Sequence, residues 1–134
     1  NLVKTGVCFI MKNVMVCVTQ QKTCDRLIRY GHEVLDGQEG ELFIIHVAPK
    51  DFKILGSSEE GEALDYLYGK AIEYGANLTV VRSNNILETL VDLVDKNQIT
   101  HVILGQSGQV KNEDNLINRF REKICQQAEL TVVP

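Results

Sequence analysis

Five short apolar runs alternate along the chain with four longer stretches whose apolar residues recur at helical spacing. This alternation constrains the fold more than any other feature of the sequence. A strand buried on both faces has no need of polar residues at every second position, so it reads as a continuous apolar run. A helix lying on such a sheet shows one apolar stripe at a period near 3.6 residues. Runs and stripes in strict succession imply parallel strands joined by helical crossovers, with helices on both faces of one sheet.

The runs fall at 13–19, 41–47, 77–82, 100–105 and 130–133. Leu27, Ile28, Gly31, Val34 and Leu35 form the first helical stripe, ending near Gly37. Ser57 and Glu60 fit a capping box for the second helix. That helix carries Ala63, Leu64, Leu67, Tyr68 and Ala71, with Gly75 placed to end it in a left-handed conformation. Asn85 and Glu88 make a cap for the third, whose stripe is Ile86, Leu87, Leu90, Val91 and Val94. Leu116, Ile117, Phe120 and Ile124 supply the fourth.

Right-handed crossovers reduce the topologies to a few. The expected fold is an open, Rossmann-like α/β sheet of five parallel strands in the order 3-2-1-4-5. The first two helices cover one face and the last two the other. The order reverses between strands one and four, and open α/β sheets bind ligands outside the carboxyl ends of their strands at such a point. Residues 19–22 and 105–108 meet there, with 47–49 nearby.

A chain of 134 residues fits one domain. With 44% hydrophobic and 24% charged residues it has the composition of a folded protein. A net charge of −4 argues against a nucleic-acid binder, which must neutralise phosphates. No apolar run approaches the ~20 residues that span a bilayer, so no membrane segment is expected. Cys8, Cys17, Cys24 and Cys125 form no CxxC pair, and with three histidines a structural zinc site is not expected. A reducing cytoplasm is the simplest setting. Met11 resembles a natural start, so residues 1–10 read as a tag or upstream extension and 11–134 as the single domain; an edge strand through Val7–Ile10 is the alternative.

The run from Asn13 to Arg29, NVMVCVTQQKTCDRLIR, resembles the universal stress protein family. It is most similar to the branch related to the universal-stress-like domain of the potassium-sensor histidine kinase. The segments Gly40–Val47 (GELFIIHV) and Val102–Ser107 (VILGQS) occur in the family's order. The resemblance covers Met11 to Pro134. It implies the same sheet, a homodimer through the last strand (Leu130 to Val133), and ATP or a related adenine nucleotide at the switch point. The family's phosphate loop has glycine, two residues, glycine, nine residues, then glycine and a hydroxyl residue. Gly105 and Gly108 match the first pair, but Asn118 and Arg119 stand where the second is due. Gln20 replaces the usual aspartate after the first strand.

The residues allow this chemistry without demanding it. Gly105 and Gly108 permit close backbone approach, Ser107 can donate a hydrogen bond, and Lys111 adds positive charge. Glu113 and Asp114 at the next helix start would instead repel a polyphosphate. Gln20 and Gln21 can read base edges or ribose hydroxyls, and Lys22 can meet a phosphate. Val47 would form an apolar wall for a base, or simply pack in the core. Cys24, in the first turn of a helix near Arg26, has the setting of a reactive thiol or of a small packed residue. His46 ends the second strand and could face the cleft. His101 begins the fourth at the opposite edge, so the two should not meet. No nucleophile–base pair or metal set emerges.

The resulting expectation is a small cytoplasmic stress-response or signalling protein that binds an adenine nucleotide through Thr19, Gln20, Gln21, Val47, Gly105, Ser107 and Gly108. At most it hydrolyses nucleotide weakly. The alternatives are a ligand-free dimeric interaction module of the same fold, or a domain of a membrane-associated sensor kinase.

Overall fold

The computed structural model describes residues 12–18, 21–37, 39–48, 58–105 and 113–133. The strands are β1 (Val14–Val18), β2 (Leu42–Ala48), β3 (Asn77–Arg82), β4 (His101–Gly105) and β5 (Glu129–Val133). The helices are α1 (Gln21–Leu35), α2 (Ser58–Tyr74), α3 (Ile86–Lys96) and α4 (Glu113–Ile124). The sheet runs β3-β2-β1-β4-β5 with every neighbouring pair parallel, as the alternation predicts.

β1 is the centre of the sheet, and all five of its residues are buried. Its side chains alternate between two cores. Val14, Val16 and Val18 join Leu42, Ile44 and Ile103 beneath Leu27, Ile28, Leu67 and Ala71 of α1 and α2. Met15 and Cys17 join Phe43, Ile45 and Val102 beneath Leu87, Leu90, Val94, Phe120 and Ile124 of α3 and α4. The helices are therefore divided two and two between the faces, and the apolar run is continuous because each strand residue meets one core or the other.

Several local signals act as expected. Gly75 has φ +64, Ala76 N–H donates to Ala71 O at 2.8 Å, and Gly75 N–H to Ile72 O at 3.3 Å. This is a Schellman end to α2. Asn85 Oδ1 accepts from Glu88 N–H at 3.1 Å, and Asn85 Nδ2 donates to the Glu88 carboxylate at 2.9 Å. Ser57 and residues 1–10 lie outside the described residues, as do the side chains of Glu60 and Ala63, so the Ser57–Glu60 cap falls outside them too.

Two side chains depart from the expected stripes. Tyr68 is 62% exposed, and Ile86, beside the α3 cap, is also exposed. On α2 the line through Leu67 and Ala71 reaches the sheet, and the flanking aromatics that pack beside it are Tyr66 and Tyr74. An amphipathic stripe allows neighbouring rows to exchange inside and outside, and a tyrosine tolerates either because its hydroxyl accepts water.

At the amino ends of the strands, Asn13 joins three of them. Its backbone N–H donates to Thr100 Oγ1 at 3.0 Å, and its carbonyl accepts from Thr100 N–H at 2.8 Å. Its side-chain Oδ1 accepts from Glu41 N–H at 3.2 Å. This end of the sheet is closed by its own hydrogen bonds.

Candidate functional site

The opposite end is where the strand order reverses. β1 ends at Val18 and β4 at Gly105, hydrogen-bonded neighbours whose following helices go to opposite faces. Open α/β sheets hold ligands in a crevice outside the carboxyl ends of their strands at such a point.

Three of the seven candidate residues fall in the described structure. Gln21 opens α1. Val47 lies near the end of β2, half-buried against the α3–α4 core. Gly105 is the last residue of β4 and the register partner of Val133. A Cβ on Gly105 would stand 2.8 Å from Leu27 Cδ1, so α1 crosses close over this strand end. The glycine thus has a packing reason as well as any ligand reason. Thr19, Gln20, Ser107 and Gly108 lie outside the described residues, as do the side chains of Lys22, Cys24, Glu113 and Asp114, and Lys111.

The two histidines are separated as expected. His46 pairs in register with Val18 at the end of β1, and His101 with Val14 at its start. His46 Nδ1 lies 3.2 Å from Val18 O, so its ring reaches across to the last carbonyl of β1. His101 Nδ1 meets Thr100 Oγ1 at 2.8 Å, and its Nε2 stands 3.8 Å from Glu129 Oε2. Burial lowers the His101 pKa; Glu129 opposes that shift and Lys12 adds to it.

Cys17 is buried in the α3–α4 core, and burial pushes its thiol up to about 12. It is an inert packing residue. Among the described residues no group of three or more His, Cys, Asp or Glu side chains could hold a metal. None of the helices in the described residues is long and apolar enough to cross a membrane.

One polar cluster was not legible beforehand. Lys70 Nζ of α2 lies 2.9 Å from Asp25 Oδ1 of α1, and Arg29 Nη2 lies 2.7 Å from Asp25 Oδ2. The Lys70 ammonium also sits 5.6 Å from the centre of the Tyr66 ring. Its contact with Lys70 is the main reason that the Asp25 carboxyl is held below its usual range. The cluster pins α2 to the first turns of α1, the helix that leads out of the crevice. The Asp25–Arg29 spacing of four is a recognisable helical pair, but nothing local announces Lys70.

No family model matches the chain. Over 104 residues it is 22% identical to the putative sensor protein KdpD of Synechocystis, covering 78% of this chain. The chain spans 28% of that relative's length. Among solved structures it is similar to a universal stress protein from Archaeoglobus fulgidus in complex with dAMP. The TM-score is 0.58 at 14% identity, over 94% of this chain and 98% of that one. A universal stress protein family member from Arabidopsis thaliana with AMP bound gives 0.57 at 13% identity, over 91% and 90% of the two chains. The chain has the universal stress protein fold.

Proposed function

We propose that this chain is a universal-stress-type protein that signals by binding an adenine nucleotide, AMP or ATP, in the crevice between β1 and β4. The observation that carries the reading is the reversal of strand order at Val18 and Gly105. That reversal leaves the carboxyl ends of two neighbouring strands facing one opening. Proteins of the same fold that hold AMP and dAMP support the ligand class. In this reading Thr19, Gln20 and Gln21 contact the nucleoside, Val47 forms the apolar wall, and Gly105, Ser107 and Gly108 line the phosphate side. The protein acts in the cytoplasm by occupancy rather than by turnover.

Isothermal titration against AMP, ATP and cyclic di-adenylate tests this. Micromolar binding that weakens in Gly108→Leu is the expected result. Absence of heat with all three nucleotides would overturn it and favour the ligand-free dimeric module.

The similarity to KdpD favours a second reading of the chain's context, as a nucleotide-sensing part of a longer sensor protein. A reading frame that continues past Pro134 into a kinase domain is the outcome that would support it.

A further inference from the structure

Beside the end of β1, His46 carries a hydrogen-bonding atom, Nε2, that no described residue partners. Its position follows from the register. Leu42 and Ile44 face the α1–α2 core, so the alternation along β2 puts His46 on that same side, one step beyond the fully buried part of the strand. There the ring is half-buried and lies beside the end of β1.

The contact with Val18 fixes the ring's proton. A backbone carbonyl only accepts, so the hydrogen bond at 3.2 Å requires a proton on Nδ1. In the neutral ring Nε2 then keeps its lone pair. The two ring nitrogens diverge, so that lone pair projects away from the Val18 carbonyl. Among the described residues no donor meets it.

We infer that His46 is a specificity-determining residue that accepts a hydrogen bond through Nε2 from the nucleoside part of the bound nucleotide. This rests on the reading that an adenine nucleotide occupies the crevice. An acceptor with a fixed tautomer selects a donor. A fully ionised phosphate has no proton to give, whereas ribose hydroxyls and the exocyclic amine of adenine do. His46 therefore reads the nucleoside end of the ligand and not its phosphates. Val18 plays the orienting part, holding the ring by its other nitrogen.

The test is a pair of measurements on the whole chain. Long-range proton–nitrogen spectra at pH 8 report the His46 tautomer and the Nε2 shift as AMP is added. Titration calorimetry compares wild type with His46→Asn, whose side-chain amide can still donate to the Val18 carbonyl but has no atom at the Nε2 position. The expected results are an Nδ1–H tautomer before ligand, an Nε2 shift on AMP binding, and AMP affinity about tenfold weaker in His46→Asn. Unfolding midpoints of the two proteins should agree. Comparing AMP with dAMP and with the purine ribonucleotide that lacks the amine assigns the donor: the analogue missing the true donor is the one that His46→Asn binds as well as wild type does. An Nε2–H tautomer overturns the inference. So does an Nε2 signal that AMP leaves unmoved, whatever the affinity of the variant. An unchanged affinity for AMP in His46→Asn overturns it while leaving the nucleotide reading standing. If wild type binds no AMP, both fall together.

Discussion

His101 shows how one side chain's surroundings set the direction of a pH effect. Desolvation disfavours the imidazolium, and the Lys12 ammonium acts in the same sense. Glu129 favours the charge but stands 3.8 Å away and is largely exposed, so burial wins. The folded pKa therefore lies below the ordinary value of 6.5. As pH falls through 6.5 the unfolded chain takes up this proton first. The contribution to stability is complete above that value and is lost progressively as pH falls from it through the folded pKa. Denaturant midpoints measured from pH 7.5 to 5 should decline in wild type. The decline should be shallower in His101→Asn, whose side chain does not titrate. Equal slopes in the two proteins would mean that the ring protonates as freely in the fold as outside it.

At the scale of elements, the placing of α1 rests on a glycine whose absent side chain is itself the contact. A Cβ on Gly31 would stand 2.5 Å from Val16 Cγ2 and 3.2 Å from Leu42 Cδ1. Val16 is fully buried and β-branched, so it has little freedom to turn aside. Gly31→Ala gains helix propensity of about 1 kcal/mol but must push α1 off β1, and overpacking of this kind costs about 1–3 kcal/mol. We expect a net loss of up to about 2 kcal/mol in urea denaturation. Gly69 on the outer side of α2 is the control: a Cβ there meets nothing within 4 Å, so Gly69→Ala should gain about 0.5–1 kcal/mol. A Gly31→Ala protein as stable as wild type would show that α1 can move to accommodate a methyl group. The same helix marks how far sequence can be read. Its stripe through Leu27, Ile28 and Gly31 was legible because three residues on one face share one fate. Its tie to Lys70 was not, because a long-range ion pair leaves no periodic trace in either helix. The exposure of Tyr68 was not legible either, since it lies one position beside the row through Leu67 and Ala71 and a tyrosine suits either side. At the crevice, the strand ends that form it were legible from topology. The hold of Val18 on His46 was not, because register decides which carbonyl a ring can reach.

For the whole molecule, the open question is what meets the sheet's edges. Among the described residues β5 is an edge strand, and its residues from Leu130 to Val133 are only half-buried. A two-fold dimer through this strand would pair its outward backbone groups, and we propose that assembly. Which groups point away from β4 follows from one hydrogen bond. Glu129 N–H donates to Thr100 O at 2.9 Å, so it points toward β4. Strand alternation then turns the N–H groups of Thr131 and Val133 toward β4 and those of Leu130 and Val132 outward. A proline at 132 removes an outward donor and leaves the ladder to β4 intact, whereas a proline at 131 removes one of the ladder's own bonds. Sedimentation equilibrium should give a dimer for wild type and a monomer for Val132→Pro, with Val132→Pro keeping the far-ultraviolet dichroism of the folded chain. Thr131→Pro should lose stability as well as association. A Val132→Pro protein that still sediments as a dimer would place the interface away from β5, and a monomeric wild type would remove the proposed assembly altogether.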